Sequence, residues 1–185
     1  MFAPRTKRHV RGANSDYAQG GRITTGYRIG IGHDTHRLAE GGPLRLGGLD
    51  IEHDRHAVGH SDADVLLHAI TDAVLGAAAL GDIGELFPDT DEANHGRDSA
   101  EMLQLAYGKV VEAGYSLVNL DCIVFVQQPK LSSHKTAIRQ RIAAILKIDP
   151  AAVGVKAKTG EGVDSVGREE AIMAQCVALL IQTKE

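Results

Sequence analysis

Two cysteines in 185 residues are too few for a disulfide framework. A chain of this length buries roughly 70% of its unfolded surface and needs none. Cys122 and Cys176 each sit inside an apolar run, DCIVFV and AQCVALL, which reads as buried reduced thiols in a reducing compartment. No apolar stretch approaches the ~20 residues of a membrane span, and the start of the chain carries no hydrophobic signal core. A membrane protein and a secreted disulfide module are both excluded on this reading. Also missing are G-x-x-x-x-G-K-[ST], which cradles phosphates, and G-x-S-x-G, the elbow of many serine hydrolases. A dinucleotide fingerprint starting at Gly30 fails at its third glycine, where Thr35 stands.

Basic residues are concentrated at one end. Arg5, Lys7, Arg8, Arg11 and Arg22 against Asp16 alone give residues 1–26 a net charge of +4, which leaves −8 for 27–185 in a chain whose total is −4. So acidic a body is a poor general nucleic-acid binder, and no nucleic-acid partner is expected. The leader has few apolar residues and no periodicity, so 1–26 reads as a flexible basic extension. Its arginines and near-lack of acids also suit an organelle-targeting segment, although it is short and poor in serine for one. A cytoplasmic location is expected, with a plastid as the eukaryotic variant. With 43% hydrophobic and 24% charged residues, 27–185 reads as one ordinary globular domain.

Tyr27–Ile31, running on into Gly32–His36, suggests a strand, and Pro43–Ile51 a hairpin around Gly47-Gly48. A helix is expected over about 61–80, with Ser61 as N-cap, Asp64 completing a capping-box variant and Gly81 as its stop. The stretch 84–91 reads as loop, and 99–113 as a helix capped by Asp98 and stopped by Gly114. Leu117–Gln127 is a strand ended by Pro129, after which Ser132 or Ser133 caps a helix carrying Ile138, Ile142 and Ile145. Val153–Lys158 and Ala171–Ile181 are strands around a glycine-bearing loop at 160–167. This order implies an α/β (α+β) fold: a mixed β-sheet with helices packed on one face.

Histidine carries the chemical signal: six of nine lie between positions 33 and 68. In an extended segment Asp34 and His36 project to one face, His33 to the other, and Gly30 and Gly32 leave open space beside them. A third ligand would complete a divalent-metal site with one position free, usually for zinc. His68 lies in the expected helix, four residues after Asp64 and on the same helical face. Spacing alone leaves His53, His56 and His60 equally open as that third ligand. Lys158-Thr159-Gly160-Glu161-Gly162 offers a cation, a hydroxyl, backbone N–H groups and a carboxylate, suited to a phosphate and its magnesium ion or to a plain glycine turn.

Taken together, these stretches resemble the 2-C-methyl-D-erythritol 2,4-cyclodiphosphate synthase family. The matching segments are Gly32–His36, His60–Asp64 with His68, Leu80–Gly84, Phe87–Asp91, Gln128–Lys130, and Lys156–Thr159 with Glu161. The resemblance covers about 27–183 in order and without large gaps. It implies that 4-diphosphocytidyl-2-C-methyl-D-erythritol 2-phosphate is cyclised with release of CMP in the non-mevalonate isoprenoid pathway, by a homotrimer with sites at subunit junctions. It further implies that Asp34, His36 and His68 hold Zn2+ or another divalent metal, and that Glu161 holds Mg2+ or Mn2+ with the diphosphate. His60 and Thr159 would position and stabilise the transferring phosphoryl group. Ser61, Asp82, Gly84, Phe87, Asp89 and Asp91 would take the methylerythritol part. The segment from Val126 to Ser132, with Lys130, and that from Lys158 to Glu161 would take cytidine and its phosphates. Arg168 stands at a family arginine and joins this substrate-binding set. Ser165 occupies the place of a phenylalanine found three residues before it in many members, and Lys158 that of a common threonine.

Two other classes compete. A zinc hydrolase of a phosphorylated small molecule would consume water and release inorganic phosphate. A non-catalytic RNA-binding module would close its metal site with four ligands and lose affinity steeply with salt.

Overall fold

The computed structural model describes residues 26–183, so apart from Gly26 the basic extension lies outside the described residues. The elements run β1 (Tyr27–Glu40), β2 (Leu44–Leu46), β3 (Leu49–Ile51), β4 (Arg55–Val58), α1 (Val65–Ala78), α2 (Ile83–Leu86), α3 (Ser99–Glu112), β5 (Tyr115–Phe125), α4 (Lys135–Leu146), β6 (Val153–Lys158) and β7 (Ala171–Gln182). Five strands form one sheet in the order β4-β1-β7-β5-β6, and β2 pairs with β3 apart from it. Only β5 and β6 pair in parallel; the other neighbours in that sheet are antiparallel, so the sheet is mixed as its sequence suggests.

Alternation divides the sheet into two unlike faces. On β7, Ile172, Ala174, Cys176, Ala178 and Leu180 are buried beneath the helices, while Val177 between them is 42% exposed. On β1 the same period buries Gly30 and Gly32 and leaves Ile29 and Ile31 at 74% and 70% exposure. The register sets Ile29 opposite Leu179 and Ile31 opposite Val177, so the uncovered face carries a contiguous apolar row. Cys122 and Cys176 are direct partners across β5 and β7, with Sγ atoms 3.5 Å apart; both are buried free thiols, as expected.

Helix α1 covers the middle of the sheet, with eleven of its residues buried. Its N-cap is Asp64, not Ser61. The Asp64 carboxylate accepts from Leu67 N (3.1 Å) and also from the turn amides of Gly47 (2.9 Å) and Gly48 (2.6 Å). One buried acid thus caps the helix and ties down the β2–β3 turn, whose two glycines hold φ of 63° and 75°. The helix ends at Ala79 in the left-handed region, two residues before the expected Gly81. The open space expected beside Gly30 and Gly32 is filled by α1: a Cβ at Gly30 would collide with the Ala73 carbonyl, and one at Gly32 with that of Ala69.

Other corrections are local. Strand β4 escapes notice because its RHAV stretch is four residues long and half polar. Helix α2 is a single turn that overlaps the start of the expected 84–91 loop, capped by Asp82 through Glu85 N at 2.8 Å. Neither Ser132 nor Ser133 caps α4; both belong to a 3-10 turn before it, and α4 starts without a side-chain cap.

Because backbone atoms of α1 lie against β1, Gly32→Ala should cost about 1–3 kcal/mol through overpacking. Thermal denaturation of the metal-free variant should show a midpoint lower by several degrees; an unchanged midpoint would mean that α1 moves aside freely.

Candidate metal centre and adjoining pockets

The even positions of β1 face α1, so Asp34 and His36 follow Gly32 on that side while His33 and Thr35 bond to each other on the far side (3.2 Å). The close seating of α1 brings His68 down onto this pair. Asp34 Oδ2 lies 2.9 Å from His36 Nε2 and 3.0 Å from His68 Nδ1, and the two ring nitrogens are 3.2 Å apart. Donors around a tetrahedral zinc with bonds of about 2.0–2.1 Å are separated by about 3.3 Å, so the three atoms need only a slight expansion to share one ion. Among the described residues this is the group of three side chains placed to hold a metal.

The second nitrogen of each ring is occupied. His36 Nδ1 lies 3.0 Å from the Val58 carbonyl, which can only accept, so Nε2 keeps its lone pair for the ion. The carbonyl is delivered by β4, whose Val58 pairs with Arg37. His68 Nε2 meets the hydroxyls of Ser99 (2.8 Å) and Ser61 (3.0 Å). Burial alone would raise the pKa of Asp34, but hydrogen bonds and charge from His36 and His68 outweigh it and hold the carboxyl well below the usual carboxylate range. For His36, burial disfavours the charged ring, yet the hydrogen bond and charge of Asp34 prevail and raise it above its ordinary 6.5.

The remaining histidines separate clearly. His56 Nδ1 donates to the Gly41 carbonyl (2.8 Å), and His53 sits beside Asp54. His60 packs edge-on against His95, with ring centres 5.2 Å apart, and lines a cavity of about 160 Å3 next to the triad. Ser61, Gly84, Phe87 and Asp89 share that wall. Asp82 and Asp91 act as caps, Asp91 accepting from Ala93 N (3.0 Å), and neither lines the cavity. Asp64 is no partner of His68, since its carboxylate is turned to the hairpin.

Sequence reasoning missed Asn94, Met102 and Ile83 in the same wall. Asn94 donates to the Pro88 carbonyl (2.8 Å) and accepts from Arg97 (3.0 Å), whose guanidinium lies over the Phe87 ring at 5.0 Å. This clamp holds the 87–91 loop in place. No spacing rule announces it, because a buried asparagine between two turns looks like any turn residue.

A second cavity, about 110 Å3, is lined by Lys130, Lys158 and Thr159, with Val126, Ser132 and the unforeseen Lys135 among its other walls. Thr159 Oγ1 donates to Glu161 at 2.8 Å. Arg168 lines neither cavity; it forms a two-pronged pair with Glu170 (3.0 Å each) and donates to the Val163 carbonyl. The two cavities are far apart within one chain. Asp34 pairs with Ala174, Ala174 with Val124 and Val124 with Ala157. Three strand spacings amount to about 14 Å.

The family model described as the YgbB family matches residues 27–181. The chain is 54% identical over 154 residues to the 2-C-methyl-D-erythritol 2,4-cyclodiphosphate synthase of Rhodopirellula baltica, covering 83% of this chain and 93% of that protein. It is 56% identical over 156 residues to the synthase of that name from Chromobacterium violaceum, covering 84% and 99%. Of solved structures, the bifunctional IspDF from Campylobacter jejuni matches with a TM-score of 0.82 and 42% identity, over 85% of this chain and 43% of that longer one. IspF of Plasmodium falciparum, in a CDP complex, matches with a TM-score of 0.76 and 34% identity, over 86% and 99%.

A metal must displace any proton held by His36, whereas Asp34 stays ionised and offers no competition. Zinc affinity, read by competition with a coloured chelator, should therefore fall about tenfold per pH unit once the pH drops below the raised His36 pKa. Equal affinity at about pH 7.5 and 5.5 would remove His36 from the ligand set.

Proposed function

The chain belongs to the YgbB family, the cyclodiphosphate synthases of isoprenoid biosynthesis, and we propose that the triad and the two cavities described above are the parts of its active site. The substrate is 4-diphosphocytidyl-2-C-methyl-D-erythritol 2-phosphate. An oxygen of its 2-phosphate bonds to the β-phosphorus, the bond from that phosphorus to the bridging oxygen breaks, and CMP leaves with the bridging oxygen. No water is consumed and no side chain becomes covalently attached, in keeping with a sequence that has no hydrolase elbow. The observation that carries this reading is the Asp34–His36–His68 triangle, whose two imidazoles line the Ser61–Phe87 cavity.

Asp34, His36 and His68 hold zinc or another divalent ion, and Glu161 holds magnesium or manganese with the diphosphate. When bound, these cations neutralise the phosphates that must approach each other. Every other requirement falls on positioning. His60 and the Thr159 hydroxyl orient the transferring phosphoryl group. The Ser61 and Asp89 side chains meet the methylerythritol hydroxyls, and Phe87, fixed under Arg97, supplies an apolar floor. Asp82, Gly84 and Asp91 hold the shape of the loops around them. Lys130 and Lys158 offer cations to the nucleotide phosphates. Arg168, engaged with Glu170, serves the end of β7 and its loop.

One phosphorus cannot touch Thr159 and the triad of the same chain across about 14 Å. A site shared between copies removes the difficulty, and the apolar row of Ile29, Ile31 and Val177 supplies a surface for assembly. Both features support a homotrimer with the triad of one subunit facing Thr159 of the next. No helix among the described residues is long and apolar enough to cross a membrane. The bacterial sources of the two relatives support a cytoplasmic location.

Purified protein with the cytidyl substrate, zinc and magnesium should release CMP and an equal amount of cyclic diphosphate by phosphorus NMR; inorganic phosphate instead would establish the hydrolase. Thr159→Ala should lower turnover far more than metal content. Co-expressed His68→Ala and Thr159→Ala chains, each inactive alone, should recover about a third of wild-type activity in mixed trimers, where one of the three shared sites is intact. No recovery in mixed assemblies would place the whole site within one subunit.

A further inference from the structure

We infer that Asp62 and Ser99 form a positioning pair that fixes the His68 ring with its Nδ1 lone pair free for the metal. The inference rests on the metal reading of the triad and extends it to two residues that touch neither substrate nor ion.

Ser99 is the first residue of α3 and is fully buried. Its hydroxyl donates to an Asp62 carboxylate oxygen, and its backbone N donates to the other oxygen at 3.2 Å. An ionised carboxylate only accepts, so Ser99 has spent its single proton on Asp62. The Ser99 oxygen therefore faces His68 Nε2, 2.8 Å away, as an acceptor, and that nitrogen must carry the ring proton. A neutral imidazole protonated at Nε2 has its lone pair on Nδ1, the atom that lies 3.0 Å from Asp34 Oδ2.

Ser61 is a different kind of neighbour. Its oxygen lies 3.0 Å from the same ring nitrogen and accepts from Ala63 N at 3.2 Å, but no carboxylate claims its proton. The Ser61 hydroxyl can turn and address a ligand in the cavity it lines, whereas the Ser99 hydroxyl cannot. Asp62 is itself held: Asp64 N donates to it at 3.3 Å and Arg45 Nε approaches at 3.4 Å. It lines a separate cleft, with Arg45, Asp50, His56 and Asp98, rather than the triad cavity. The pair thus links the approach to α1 with the start of α3 and delivers negative charge to the back of a ligand ring, an arrangement that raises ligand basicity.

The test uses the full-length chain with Asp62→Asn and Ser99→Ala. The amide of Asp62→Asn fills the same space but can donate to the Ser99 oxygen, releasing the hydroxyl proton towards His68 Nε2 and favouring the wrong tautomer. Zinc affinity by chelator competition should weaken about 10–100-fold in both variants. The melting midpoint of the metal-free chain and turnover at saturating zinc should stay close to wild type. Ser61→Ala should do the reverse, lowering turnover more than zinc affinity. In the zinc-loaded wild type the His68 ring N–H should give a slowly exchanging proton resonance that Ser99→Ala abolishes.

Wild-type zinc affinity in Asp62→Asn and Ser99→Ala would overturn the inference while leaving the triad intact. Weakened affinity matched by an equal collapse of metal-free stability in both variants would also overturn it, reducing the pair to a structural tie. A wild-type chain that takes up no zinc would overturn the metal reading and this inference together.

Discussion

The contact on which the rest depends is the seating of α1 against two glycines of β1. At Gly30 and Gly32 the helix backbone occupies the volume that side chains would fill, so helix and strand approach as closely as their main chains permit. Asp34 and His36 follow Gly32 on the same face, and His68 descends onto them from α1. A larger residue at either glycine would lift the helix and widen the ligand triangle. Stability and metal binding are therefore set by the same steric fact.

Local periodicity was enough to find much of this. The period of two in β1 puts Asp34 with His36 and sends His33 away, and both hold in three dimensions. The hairpin around Gly47-Gly48, β6 and β7 were legible from turn residues and β-branched runs, with boundaries close to those expected. The choice of His68 over His53, His56 and His60 was not legible from spacing, because it depends on which segment crosses β1, a long-range packing outcome. Only the ordered set of motifs shared with the synthase family singled it out.

The errors share a cause. Ser61 looked like a cap and Asp64 like its partner, but Asp64 also collects the amides of Gly47 and Gly48, and this tertiary link shifts the start of α1. Gly30 and Gly32 looked like vacant space because a sequence does not show what will fill the room beside a glycine. Ser99, Asn94 and Arg97 carry no signal, and Asp62 none beyond its place in the His60–Asp64 segment, since each acts through a partner distant in the fold or in a turn whose shape the sequence does not specify. Hydrogen bonds that organise a site from behind are visible only once the chain is folded.

The paired thiols of Cys122 and Cys176 have a consequence of a different sort. They face each other at the middle of the sheet, and their mutual contact together with burial pushes the Cys176 thiol up, so almost no thiolate forms at neutral pH. A reagent can reach these buried sulfurs only when the helix layer above them lifts from the sheet. Their rate of alkylation is consequently a built-in stopwatch for how often the centre of this protein comes open.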